Sequence, residues 1–258
     1  MFNINYVWRL FATGLCFFLF GIGGLILTLV VFPLVNLFIP KETRVKKARK
    51  IISRSFKFFI STMQFVGIFN FDLNEAENFL AVQKGKVIVA NHPSLIDVVV
   101  LISIIPHADC VVKKDLWQNF FLKGVVKAAD YIKNDENPEE LLAACQKSLN
   151  QGFSLIIFPE GTRTKPGMPL KLQRGASNIA LRCKADLVPV VIDCFPTTLT
   201  KNEPWYSIPD KKAEFSIKVK NLISVTQFLA SDSGLSLAAR KLTEEIKKRI
   251  SRESNGYA

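Results

Sequence analysis

The stretch KVIVANHPSLIDVVV, residues 86–100, changes character halfway along. Its first part, KVIVA (86–90), is a short β-branched run with the length and composition of a buried strand. Asn91, His92, Pro93 and Ser94 then make a turn, and Ser94 is placed to cap a helix that runs to Ile104 and carries Asp97 in its first turn. A strand that feeds a helix through four residues is half of a parallel crossover, so the fold depends on whether the pattern repeats.

It does repeat. DCVVK (109–113), SLIIF (154–158), LVPVVI (187–192) and FSIKV (215–219) read as further strands, and helical patterns cover 116–128, 138–150, 172–183 and 235–250. Asn137-Pro138-Glu139-Glu140 is a helix start, with a capping amide, proline in the first turn and two acids beside it. The closing helix sets Leu235, Ala238, Leu242, Ile246 and Ile250 on one face. The alternation predicts an α/β fold over 70–258, a mixed, largely parallel sheet flanked by helices, with no internal repeat.

The preceding segment differs in kind. Phe11 to Pro40 holds no charged residue, and a bilayer-spanning helix needs only about 20 apolar residues. Residues 1–40 therefore read as a membrane helix, too long and without the small-residue cleavage site of a signal peptide. Pro33 predicts a kink that lays the tail along the interface. The stretch KETRVKKARKIISRSFK (41–57) follows, with eight basic residues and one acid. Steps of three and four from Val45 through Ala48, Ile52, Phe56, Phe59 and Met63 to Val66 make 41–69 a basic amphipathic helix, lying on an anionic membrane surface, packed on the domain, or both. The basic flank puts the domain on the cytoplasmic face, the inner membrane in a bacterium. Spanning and insertion into one leaflet both remain open.

Composition agrees with an anionic, membranous setting: 49% of residues are hydrophobic and the formal net charge is +12. The five cysteines form no C-x-x-C pair and there are two histidines, which excludes a structural zinc and predicts reduced, buried thiols. The aromatics and cations do not interleave as in a nucleic-acid module, so no nucleic-acid partner is expected.

Ligands of such sheets gather beyond the carboxyl ends of strands. His92 stands at one such end, and Asp97 is near enough to hold one ring nitrogen and leave the other free as a base toward a hydroxyl. A second strand end, SLIIFPEGTRTKPG (154–167), offers Glu160, a turn at Gly161, Thr162 as a donor and Arg163 as a planar anion fork. No serine or cysteine is spaced as a nucleophile elbow, which favours direct attack by a bound alcohol. His107 reads as a turn residue on the surface. KNEPWYSIP (201–209) reads as a loop whose Trp205 and Tyr206 edge a substrate groove, lie at the interface, or pack.

Together the two strand ends resemble the lysophospholipid acyltransferase family, the 1-acyl-sn-glycerol-3-phosphate acyltransferases and their bacterial relatives. The resemblance rests on Asn91, His92 and Asp97, on Phe158 to Arg163, on LQRGA (172–176) and on VPV (188–190), and covers about 70–225. It implies transfer of a fatty acyl group from acyl-CoA or acyl-carrier protein, as donor substrate with no resident cofactor or metal, to a lyso-lipid hydroxyl. His92 would be the general base and Asp97 its orienting acid. Glu160, Gly161, Thr162 and Arg163 would hold the acceptor's polar head, with Arg174 a weaker phosphate contact. The sequence departs from the family in one place. The family's arginine on a short intervening strand is matched by DYIKN (130–134), where Lys133 offers a point charge in place of a fork. A 1-acylglycerol-3-phosphate-like acceptor and a non-phosphate one, an amino-acid or polyketide-like lipid, therefore both stand. Outside transfer, the alternatives are a hydrolase on the same site and a non-catalytic basic membrane scaffold.

Overall fold

The computed structural model describes residues 4–134, 137–164, 167–230 and 234–251. Seven strands form one sheet in the order β1-β7-β6-β2-β5-β3-β4. They are β1 (Phe69–Asp72), β2 (Val87–Ala90), β3 (Ala108–Lys113), β4 (Ile132–Asn134), β5 (Ser154–Ile157), β6 (Leu187–Phe195) and β7 (Ala213–Val219). Neighbours run parallel except β6 and β7, which are antiparallel. The central strand β2 is buried along its whole length. Its side chains alternate between two cores: Ile88 and Ala90 belong to one, Val87 and Val89 to the other.

Helices cover both faces. On the first face lie α3 (Lys41–Phe65), α4 (Asn74–Leu80) and α5 (Asp97–Ile104). On the second lie α8 (Pro138–Asn150), α9 (Gly175–Arg182) and α11 (Gly234–Ile250), preceded by the short α10 (Thr226–Leu229). The chain leaves β2 through α5 for β3 on one side, and leaves β5 through α9 for β6 on the other. The adjacent strands β2 and β5 thus send their connections in opposite directions, and a crevice opens beyond their carboxyl ends.

Several local expectations need correction. Ser94 is not the helix cap. α5 begins at Asp97, whose own carboxylate accepts the Ser94 N–H at 2.8 Å, while the Ser94 hydroxyl donates to the Thr198 carbonyl. The pattern over 116–128 is two helices, α6 (Lys114–Gln118) and α7 (Lys123–Ala128). They break at Asn119, whose Oδ1 accepts the N–H groups of Phe121 and Leu122, a local bond that competes with helix. By contrast, Asn137 caps α8 as expected, accepting from the N–H groups of Glu139 and Glu140.

Ahead of the sheet, α1 (Ile4–Ile26) and α2 (Phe32–Phe38) form one apolar rod, joined by a π-helical turn over Leu27–Val31. Pro33 acts through that turn. It has no N–H to give the fourth residue back, and the widened turn before it absorbs the misfit. α3 then packs against α5. Ala48, Ile52 and Met63 of its apolar stripe are buried, so the packed reading of this helix holds. Arg49, on the same buried face, is held by Asp109 at 2.7 Å and by the Ala129 carbonyl, with its guanidinium over the Phe153 ring. All five cysteines are free and buried.

Candidate active site

The first catalytic candidate sits where β2 ends. Asn91 extends the strand with its side chain, giving its amide N–H to the Ile192 carbonyl and accepting the Ile192 N–H, at 2.8 and 2.6 Å. This two-point bond fixes the next residue, His92, beyond the sheet edge. His92 Nδ1 meets Asp97 Oδ2 at 2.8 Å, and the same oxygen takes the Ser94 N–H. Asp97 is fully buried, and burial pushes its carboxyl above the usual range, against the opposing pull of His92, Ser94 and Arg163. Among the described residues its other oxygen, Oδ1, has no hydrogen-bond partner. A desolvated carboxylate of this kind is a strong acceptor, and it fixes the imidazole with the proton on Nδ1. That leaves Nε2 as the nitrogen available to the cleft, from a side chain still 19% exposed.

The second strand end is tied to the first. The Glu160 carboxylate accepts the His92 backbone N–H at 2.7 Å through Oε1 and the Thr164 hydroxyl through Oε2. The Thr164 N–H donates in turn to the His92 carbonyl. Phe158, at the end of β5, stacks on the imidazole with ring centroids 4.2 Å apart. Gly161 turns the chain at φ +68°, a conformation that costs a side-chain-bearing residue energy. Arg163 Nη1 donates to the carbonyls of Leu199 and Thr200 at 2.9 and 3.0 Å.

The expected residues therefore do not all meet. His92, Gly161, Thr162 and Arg163 line a single cleft of about 790 Å³, with Asp97 directly behind the histidine. Glu160 is buried between the two loops, with its carboxylate engaged by them. Lys133 is absent from the cleft wall, which receives the next residue, Asn134. Arg174 lies at the exposed start of α9 and lines a separate hollow with Asn178, Arg182 and Leu235. His107 is not among the residues that line the cleft, and its Nε2 is bonded to the Gln83 carbonyl.

The sequence reading overlooked Phe158 as the face of the histidine, and the part played by the apolar N-terminal rod. Thr13, Cys16, Phe17 and Phe20 of α1 line the cleft together with Phe59 and Met63 of α3. The signal that marks this face of α1 is polar: Asn5, Arg9 and Thr13 follow one another at steps of four and lead on to Cys16 and Phe20.

Residues 70–193 of this α/β domain match the family described as Acyltransferase. The chain is similar to the 1-acyl-sn-glycerol-3-phosphate acyltransferase of Helicobacter pylori, 29% identical over 64% of this chain and 67% of that protein. It is 38% identical to the Bacillus subtilis protein of the same name, over 43% of this chain and 56% of the other. A coconut (Cocos nucifera) protein, again of that name, is 32% identical over 40% of this chain, a stretch that spans only 36% of the coconut protein's length. In fold, the chain resembles the crystal structure of the 1-acyl-sn-glycerophosphate acyltransferase PlsC from Thermotoga maritima. The TM-score is 0.63 at 18% identity, over 96% of this chain and 100% of the other.

Proposed function

We propose that this chain moves a fatty acyl group from a thioester to the hydroxyl of a lyso-lipid at a membrane surface. One observation carries the reading: a buried-carboxylate-backed imidazole opens onto a cleft lined in part by the apolar N-terminal rod. A cleft built partly from a membrane-seeking helix is suited to a substrate that lives in the membrane.

His92 Nε2 takes the proton from the acceptor hydroxyl as its oxygen attacks the thioester carbonyl carbon. Asp97 stabilises the imidazolium through Nδ1. The tetrahedral intermediate collapses, the C–S bond breaks, and the departing thiolate recovers the proton from His92. Acyl-CoA and acyl-carrier protein are both donors of the right chemistry. Thr162 and Arg163, on the cleft wall, are the groups for the acceptor's polar head. A 1-acylglycerol 3-phosphate is the first acceptor to test, in line with the relatives' names. A non-phosphate lyso-lipid is the second, favoured by the neutral amide of Asn134 at the end of β4.

The domain is read as lying on the cytoplasmic face, with the apolar rod in one leaflet. His92→Ala is expected to lower acyl incorporation by roughly 10²–10⁴-fold, the range of a general base, with an unchanged circular dichroism spectrum. Turnover retained near the wild-type rate would remove His92 from the base role. Supplying lyso-lipid separates transfer from hydrolysis: the product is the diacyl lipid in the first case and free fatty acid in the second.

A further inference from the structure

Two loops outside the reacting centre press aromatic tips against one flank of α1. In the 201–209 loop, the Trp205 indole lies over Gly14, where a Cβ would come within 3.2 Å of the ring. The same indole stands 6.1 Å from the Phe17 ring and packs edge-on against Tyr206. Arg9 fastens the end of this loop by donating to the carbonyls of Pro209 and Asp210 at 2.7 and 2.5 Å. About two helical turns further along α1, the 119–122 turn seats the Phe121 ring on Gly21 and its carbonyl against Gly24. Phe120 packs edge-on to Phe121 there. Gly14, Phe17, Gly21 and Gly24 follow one another at steps of three and four, so both loops meet the same line down the helix.

Between these two contacts the inner lining of the cleft is continuous, from Phe17 and Phe20 of α1 to Leu122 of one loop and Ile208 of the other. The aromatic tips are not there to fill a core. Trp205 is 46% exposed, Tyr206 58% and Phe120 64%, and they border the exposed apolar stripe of α1 that includes Phe11 and Phe18. Large apolar side chains left in contact with solvent over a continuous patch mark an interaction surface. Tryptophan and tyrosine are the side chains that concentrate at the lipid–water boundary. Continuity with the uncharged run from Phe11 to Pro40, long enough to seek a bilayer, makes the occupant lipid.

We propose that the 201–209 and 119–122 loops dip into the leaflet beside α1 as the two jambs of a lateral portal. Through it the acyl chain of a membrane-borne substrate slides from lipid into the cleft without crossing water. The portal rests on the reading of the substrate as a membrane lipid; the insertion of the loops does not.

The test uses the full chain with Trp8→Phe and Trp117→Phe, which leaves Trp205 as the fluorophore. Vesicles contain phosphatidylglycerol and phosphatidylcholine brominated at shallow or deep positions of its chains. Shallow bromine is expected to quench Trp205 about twofold, and deep bromine less, as befits an interfacial indole. Unquenched emission from protein that sediments with the vesicles overturns the insertion and points to a protein partner on this surface instead. In the second arm, Trp205→Ser with Tyr206→Ser is expected to raise KM about fivefold or more for 1-oleoylglycerol 3-phosphate in vesicles, at unchanged kcat. The same variant should treat water-soluble 1-hexanoylglycerol 3-phosphate as the wild type does. Equal losses with both acceptors, or no loss with either, overturn the portal. Quenching requires no turnover, so it decides the insertion even if the wild-type chain acylates neither acceptor, an outcome that would count against the acyltransfer reading.

Discussion

Arg163 donates from Nη1 to two main-chain carbonyls, those of Leu199 and Thr200, before any ligand arrives. Leu199 is in the left-handed region at φ +54°, and its carbonyl also accepts the Leu95 N–H, two positions before Asp97. The guanidinium thus pins a strained turn that braces the loop carrying His92 and Asp97, in addition to facing the cleft. Removing it should do more than weaken acceptor binding. Arg163→Ala is expected to cost about 1–3 kcal/mol of stability through lost charge-assisted bonds, and to lower kcat as well as raise KM. Arg163→Lys should regain much of the thermal stability without the acceptor KM, because an ammonium can reach a carbonyl but offers no planar fork. Melting temperature and the kcat and KM of both variants check this; a pure KM effect in Arg163→Ala would show that the turn holds without the arginine. Glu160 teaches a related point. Its carboxylate accepts the His92 N–H, so a residue that the strand-end pattern presents as a ligand group is here the tie between two loops.

The contact between α1 and the 119–122 turn depends on glycine. A Cβ at Gly24 would come within 2.8 Å of the Phe121 carbonyl oxygen, which is backbone and cannot swing aside. At Gly23, one residue earlier, a Cβ meets nothing within 4 Å among the described residues. Gly24→Ala is therefore expected to cost about 1–3 kcal/mol in thermal unfolding by overpacking, whereas Gly23→Ala should be neutral or slightly stabilising in the helix. Equal melting temperatures for the two variants would mean that the rod is not seated as described. The sequence could not reveal this contact, since a glycine inside an apolar run reads alike whether it faces lipid or backbone. It did reveal five strands: burial on both faces leaves the apolar runs of β2, β5 and β6 nearly unbroken, and β7 shows instead the period of two of a strand with one buried face. β1, with the sequence FNFD at the sheet edge, escaped because only one of its four residues is buried. The three-residue β4 is too short for any period, and only the family resemblance located it. His92 and Asp97 were readable from spacing because one turn of chain joins them. The tie from Glu160 to His92 spans 68 positions and has no local signature.

The N-terminal rod touches the domain from end to end. Near its start the Trp8 indole donates to the Val66 carbonyl, and Arg9 reaches Pro209 and Asp210. In its middle Phe20 packs on Phe56 and Phe59, and Thr28 crowds against Gly124. Past its end the Arg44 side chain donates to the Ile39 carbonyl where α3 turns back. The 35 residues from Ile4 to Phe38 exceed what a bilayer crossing requires. A rod that crossed, however, would have to leave these contacts, and Arg9, itself 4% exposed, would lose the two main-chain carbonyls that hold its guanidinium. Both ends should therefore lie on the same side of the membrane as the domain. The buried native thiols make this measurable; burial holds that of Cys145 up at about 12, so it presents almost no thiolate at neutral pH. Asn5→Cys and Lys41→Cys, each made separately, place a reactive thiol at exposed positions at either end of the rod. In sealed inverted vesicles, an impermeant maleimide should label both variants at comparable rates and leave the wild type unlabelled. A rod that spans would expose one end and protect the other until detergent is added, and that asymmetry would place the domain's apolar wall across the bilayer instead of along it.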